Sequence, residues 1–257
     1  WAEAMVSDIA AALTQVTGVT TVVKNGAGRA RALEGLAEET LVLIGKVEGP
    51  VPVLLSGATY MADVLGGQKT GLFFDQRDNH AFAARLAKGA RVLDVFAHVG
   101  GFALAALAAG AESALAVDGS AAALELAEAG AAATGAAARF ATRKSDAFAA
   151  MEALAGEGAL FDLVICDPPA FAPTKQALDA GLRAYERVAR LAAPLVAPGG
   201  YLCLCSCSHA ADLAAFRGGR AAMIFQEPML ALDPVYTVGQ QIIETIRRHD
   251  NVTAAAA

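Results

Sequence analysis

Residues Arg91 to Phe102 read R-V-L-D-V-F-A-H-V-G-G-F, an apolar run that enters a glycine turn and continues into the Ala-rich stretch 103–109. A short apolar run bounded by Gly-Gly is a strand covered on both faces, and the run after it has helical composition. A strand that passes through a tight turn into a helix leaves backbone N–H groups free at the helix start, beside the carboxyl edge of a sheet. Open α/β sheets hold their ligands there. This stretch therefore fixes the class of fold before any other part of the chain is considered.

The rest of the chain repeats the alternation. Glu112 to Val117 reads as a second strand ending in Asp118, and 121–129 as a helix. A third strand over 138–142 leads to K-S-D-A-F (Lys144 to Phe148), and helix 149–155 to a fourth strand, F-D-L-V-I-C, ending in Asp167-Pro168-Pro169-Ala170-Phe171. Helix Leu178 to Leu195 and the turn Pro198-Gly199-Gly200 precede a fifth strand, Y-L-C-L-C-S-C-S (Tyr201 to Ser208). Strands alternating with helices in this way predict a doubly wound, mostly parallel, Rossmann-like sheet. Residues 1–70 read differently: a helix over about 1–15, then short strands at 19–24, 41–44 and 51–55 around Gly49-Pro50, a small α+β region with hairpins.

With 257 residues, 56% of them apolar, the chain can bury a sizeable core. Its apolar stretches are too short for the roughly 20 residues of a spanning helix, so no membrane segment is expected. The chain starts at Trp1 without the charged and apolar regions of a signal peptide, and so reads as a fragment or trimmed product. Four cysteines late in the chain, three alternating in one strand, are no disulfide framework, and a cytoplasmic setting is expected. The net charge of −6 argues against broad nonspecific adhesion to nucleic acid but leaves room for a structured RNA bound by a local basic patch.

The segment G-G-Q-K-T-G-L-F-F-D-Q-R-D-N-H (Gly66 to His80) looks like a phosphate loop only at first sight. Gln68 stands where Gly must precede Lys, so the segment reads as a domain junction. Asp75, Gln76, Arg77 and Asn79 form a polar cluster ahead of an amphipathic helix (Phe82 to Leu86), and such a cluster can face a polar ligand.

Asp118, at the end of strand two, suits the hydroxyl pair of a ribose. The G-x-G-x-x-G pattern is absent, which disfavours a pyrophosphate and favours a nucleoside ligand with an uncharged linker. S-adenosylmethionine is such a ligand, and Asp146 is placed to reach its adenine. D-P-P-A-F presents a carboxylate and an aromatic ring on a backbone stiffened by two prolines, a surface on which a flat base can stack; alone it also reads as a turn. Cys203 and Cys205 read as small core residues. Cys207, flanked by two serines where the strand meets the cleft, is a candidate nucleophile. Same-strand neighbours cannot wrap a tetrahedral ion, so no metal site is expected.

Together V-L-D-V-F-A-H-V-G-G-F, G-G-Q-K-T-G-L-F-F-D-Q-R-D-N, D-P-P-A-F and S-C-S resemble the class I S-adenosylmethionine-dependent methyltransferases of 23S ribosomal RNA that form 5-methylcytosine, over about residues 28–216. The resemblance implies a Rossmann-like catalytic domain at 71–216, a central domain within 1–70 and a missing N-terminal RNA-binding PUA domain. It also implies site roles. Asp94, Phe96, Gly100 and Gly101 line the methionine side of the cofactor, Asp118 takes the ribose and Asp146 the adenine; Cys207 is the nucleophile and Asp167 stabilises a protonated N3. Pro168, Pro169, Phe171 and Arg77 contact the substrate. Methylation of an exocyclic amine through D-P-P-aromatic stays open, because it needs the carboxylate and no cysteine.

From Arg217 the sequence changes character. G-R-A-A-M-I-F-Q-E-P-M-L-A-L-D-P resembles the Q-loop region of oligopeptide and dipeptide ABC transporter ATP-binding subunits, without their P-loop. Residues 217–257 are therefore expected to be a foreign, poorly packed segment with no more than a short helix at 238–248. The fold would then be truncated at its C-terminal strands, with an apolar sheet edge uncovered. An ABC ATPase subunit is the second class of function.

Overall fold

The computed structural model describes residues 2–26, 29–66, 70–208 and 222–225. The strand around which the sheet is built is β5, Arg91–Val95. It pairs in parallel with β6, Ser113–Asp118, on one side and with β8, Phe161–Cys166, on the other. Beyond β6 lies β7, Phe140–Lys144; beyond β8 lie β9, Val196–Ser206, and β10, Ala222–Phe225, giving the order β10-β9-β8-β5-β6-β7 with every pair parallel. The chain winds outward from β5 through β6 to β7, then returns across β5 to start β8. Strand order thus reverses between β5 and β8, and the crevice at their carboxyl ends is where such a sheet takes a ligand.

The period of two along each strand splits the core into two layers. Val92, Ala114, Leu163, Ile165, Cys203 and Cys205 face α3 (Arg77–Arg85), α4 (Gly101–Ala108) and α5 (Ala121–Ala133). Leu93, Val95, Val117, Val164, Cys166 and Leu204 face α6 (Ala147–Gly156) and α7 (Leu178–Ala192). Strands covered on both faces read as the near-continuous apolar runs seen in the sequence. The helix α4 is buried over Phe102 to Leu107, as its apolar circumference requires. The alanines make helices thin enough to pack closely, at the cost of little buried area per residue.

The described residues up to 66 include α1 (Val6–Thr17), an antiparallel pair of β1 (Val22–Lys24) and β2 (Leu41–Ile44), with the short α2 (Arg29–Leu33) between them, and a hairpin of β3 (Val51–Leu55) and β4 (Ala58–Ala62). The second hairpin strand is not evident in the sequence. It matters, because Ala58, Tyr60 and Ala62 are buried, the Thr59 N–H donates to Thr134 Oγ1 of the loop after α5 at 2.9 Å, and the Tyr60 hydroxyl donates to the Gly101 carbonyl at 3.0 Å. The hairpin braces the glycine turn from behind.

Two expectations are corrected. α3 starts at Arg77, directly after a 3₁₀ turn at Phe74–Gln76, so Arg77 and Asn79 belong to the helix and only Asp75 and Gln76 of the polar cluster precede it. Four residues of the segment read as foreign, Ala222–Phe225, form the strand β10 along β9, so this edge of the sheet is extended and not left open. Ala-Met-Ile-Phe has strand composition, and parallel pairing satisfies its backbone locally. The helix expected at 238–248 lies outside the described residues.

Candidate active site

The carboxyl ends of β5, β6, β7, β8 and β9 open into one cleft of about 460 Å³, within the usual range for a small-molecule site. Asp94, Phe96, Gly101, Asp118, Asp146, Asp167, Pro168, Pro169 and Cys207 all line it. Gly100 sets the turn: its φ of +78° is left-handed, and a Cβ there would lie 3.2 Å from the Ala127 methyl. Gly101 gives the backbone room, since a Cβ would stand 2.9 Å from the His80 ring.

The same loop holds Phe96 at φ +65° and His98 at φ +48°. Left-handed conformations at residues with a Cβ cost on the order of 1 kcal/mol each and persist where surrounding bonds enforce them. Here the Ala97 N–H donates to the Val117 carbonyl at 3.0 Å, and the His98 N–H to Asp118 Oδ2 at 2.9 Å. Asp118 also accepts the Ser120 N–H at 2.8 Å through Oδ1. Its two oxygens thus tie the turns after β5 and β6 together, and each keeps a lone pair for a ligand.

Asp94 is 1% exposed; its Oδ2 accepts the Ala103 N–H at 2.9 Å, and Oδ1 has no hydrogen-bond partner among the described residues. Burial pushes its pKa up to about 7, helped by the charges of Asp167 and Asp118 and opposed by the amides of Ala103 and Phe102. A buried, unsatisfied carboxylate oxygen facing a cleft is the mark of a site built for a cationic or hydrogen-donating ligand. Asp146 caps α6, accepting the Ala149 N–H at 3.0 Å through Oδ1.

Asp167 leaves the end of β8. Burial, then the charge of Asp75, raises its pKa to about 6. Gln76, 2% exposed, donates from Nε2 to Asp167 Oδ2 at 3.3 Å, and its Oε1 accepts from Asn79 Nδ2 at 2.7 Å. Cys207 is half-buried, with its Sγ 3.9 Å from the Pro168 carbonyl oxygen. Cys203 and Cys205 are core residues, 3% and 1% exposed, and burial raises both thiols. The nucleophile candidate and the D-P-P carboxylate therefore meet because β8 and β9 are adjacent and parallel.

Two residues expected in the site stand elsewhere. Arg77 is exposed and turns its Nε back to the Phe74 carbonyl at 3.1 Å, because α3 begins at that residue and its inward face carries Gln76, Asn79 and His80 instead. Phe171 is not part of the cleft lining. It packs edge-on to Tyr185 with centroids 4.9 Å apart and contacts the rings of Phe96 and Phe148, so it supports the wall from behind. Site residues that sequence reasoning passed over are Phe73, His80, His98 and Ser145. Burial holds His80 neutral, with its pKa down to about 4, against the Phe102 ring at 4.5 Å. Its helical spacing from Gln76 puts the two on one face of α3, a signal that is readable only once the helix start is known. Among the described residues no cluster of His, Cys, Asp or Glu has metal-holding geometry, and no helix is long and apolar enough to cross a membrane.

A doubly wound parallel sheet with an acidic, glycine-turned cleft at its switch point defines an α/β protein of the Rossmann-like class. The S-adenosylmethionine-dependent methyltransferase family matches residues 10–219, and the chain belongs to it. It is 36% identical over 247 residues to the ribosomal RNA large subunit methyltransferase I of Tolumonas auensis, covering 90% of this chain and 61% of that protein. It is 39% identical over 180 residues to the protein of the same name from Shewanella denitrificans, covering 69% and 45%. The chain thus spans between 45% and 61% of the length of these curated relatives. The crystal structure of SMU.776 complexed with SAH shares the fold, with a TM-score of 0.68 at 22% identity, over 84% of this chain and 55% of that one.

Proposed function

We propose that the chain methylates C5 of a cytosine in 23S ribosomal RNA, with Cys207 as the covalent nucleophile. The observation that carries this reading is the shared cleft: the Cys207 thiol and the Asp167 carboxyl stand at the ends of neighbouring strands, on the same opening as Asp94 and Asp118. The relatives named for large-subunit ribosomal RNA support the substrate class. The catalytic unit in this reading is residues 71–216, with 1–70 on the substrate side and the segment after residue 216 outside the reaction; the family match, which runs from residue 10 to 219, stops close to the second of these boundaries.

The residues present fit S-adenosylmethionine. Asp94 offers its unsatisfied oxygen to the cationic methionine end, Gly100 and Gly101 let the backbone approach, Asp118 keeps two lone pairs for ribose hydroxyls, and Asp146 stands on the adenine side. When bound, the cofactor supplies an electrophilic methyl group.

Cytosine C5 is a poor nucleophile until a group adds at C6. The Cys207 thiolate forms the S–C6 bond, the C5–C6 double-bond electrons move to make C5 electron-rich, and Asp167 holds a proton at N3 to take up the charge that develops on the ring. Burial keeps Asp167 protonated to higher pH than an ordinary carboxyl, as that role requires. Once C5 carries the methyl that the bound cofactor would supply, a solvent base takes the C5 proton, its bonding electrons re-form the C5–C6 double bond, and the S–C6 bond breaks to release the thiolate.

Methylation of an exocyclic amine remains the second reading, favoured by Asp167-Pro168-Pro169 alone. The variant Cys207→Ala separates the two. Loss of methyl transfer to unmodified 23S RNA with cofactor affinity intact is expected, and retained transfer would exclude the covalent route.

A further inference from the structure

On extended backbone successive side chains point to opposite sides. Cys207 faces the cleft, and Ser206 and Ser208 on either side of it point the other way, 2% and 5% exposed. Both reach the hydroxyl of Tyr185 on α7, itself 4% exposed: Ser206 Oγ donates to it at 3.0 Å, and Ser208 Oγ lies 2.8 Å from it. Ser208 Oγ also accepts the Ala172 N–H at 3.0 Å, which anchors the loop that follows D-P-P-A-F, and the Ser208 N–H donates to Ser206 Oγ at 3.3 Å.

Ser206 gives its hydroxyl hydrogen to Tyr185, Tyr185 and Ser208 share a second hydrogen bond in which either oxygen is the donor, and Ser208 also accepts the Ala172 amide. One phenol thus holds both neighbours of Cys207, and through Ser208 the loop carrying Asp167 and Pro168. A buried, connected polar network fixes a single arrangement in a way apolar packing does not.

We propose that Tyr185 is a positioning residue for Cys207: its hydroxyl locks the strand end so that the thiol faces the cleft beside the D-P-P loop. The proposal rests on Cys207 being the nucleophile, and its test is chosen to report on positioning whether or not that reading holds.

Tyr185→Phe keeps the ring against Phe171 and removes only the hydroxyl. Alkylation of Cys207 by iodoacetamide, followed by peptide mass spectrometry, is expected to run several-fold faster in the variant, because the half-buried thiol loses its restraint. Turnover on unmodified 23S RNA is expected to fall roughly 10-fold, with KM for RNA and affinity for S-adenosylmethionine unchanged, as misplacement of a reacting group affects the chemical step. An alkylation rate equal to or below that of the parent chain overturns the proposal, even if the melting temperature drops. If Cys207→Ala retains transfer, the nucleophile reading fails while the alkylation result still decides positioning. Should Tyr185→Phe not fold, Ser206→Ala, which leaves the Tyr185 to Ser208 bond in place, is judged by the same alkylation criterion.

Discussion

Asp94 burdens the fold in order to serve the site, and Asp94→Asn exposes that exchange. A carboxyl whose pKa is about 7 in the folded chain and 3.8 in the unfolded one binds more protons when folded, so stability falls as pH rises from about 4 through 7. At pH 8 the ionised group destabilises the fold by about 4 kcal/mol. The amide carries no charge, but its Nδ2 takes the place of Oδ1, which has no partner among the described residues, at a cost of about 1–3 kcal/mol. The variant should therefore be more stable than the parent at pH 8 by about 1–3 kcal/mol. At pH 5 the parent's neutral carboxyl holds an equally unpartnered O–H, and the two should lie within about 1 kcal/mol of each other. Urea unfolding at the two pH values reads this difference. Calorimetry at pH 8 should show affinity for S-adenosylmethionine falling roughly 10-fold or more, since a charge-assisted contact is lost. Equal pH dependence in both chains, or an unchanged affinity, would refute the reasoning.

Other perturbations follow from the same geometry. Gly100→Ala forces a Cβ into a left-handed position already crowded by Ala127 and Leu104, and should cost about 2 kcal/mol in denaturant unfolding; a loss below about 0.5 kcal/mol would show that the turn relaxes freely. Asp75 is exposed, and its charge helps raise the pKa of Asp167 to about 6. In the proposed mechanism Asp167 works protonated, so kcat/KM should decline as pH rises through about 6, and Asp75→Asn should move that decline to lower pH. A profile that Asp75→Asn leaves in place would dissociate Asp167 from the rate.

The parts of the site legible in the sequence are those fixed by local pattern. Asp94, Asp118, Asp167 and Cys207 each sit at or just beyond the end of an apolar run, and in a parallel sheet the ends of such runs share one edge. What escaped depended on direction or on distant packing. Which of Gln76 and Arg77 turns inward is decided by where α3 starts, and a boundary error of five residues rotates the whole face of a helix. Phe171 looked like a stacking ring because it follows two prolines; the neighbouring rings of Tyr185, Phe96 and Phe148 claim it instead. The hairpin strand β4 is short and Ala-rich, and nothing local announces that Tyr60 reaches the glycine turn. The serines beside Cys207 gave no hint of Tyr185, which lies 21 residues from Ser206 and 23 from Ser208 in the chain.

The chemistry itself is tested most directly by the methylated nucleoside. Unmodified 23S RNA incubated with the chain and S-adenosylmethionine, digested to nucleosides and resolved by mass spectrometry against standards, should yield 5-methylcytidine, and none when Cys207→Ala replaces the parent chain. A methyl group found on an exocyclic amine, or 5-methylcytidine formed equally by the alanine variant, would contradict a mechanism that runs through the Cys207 adduct.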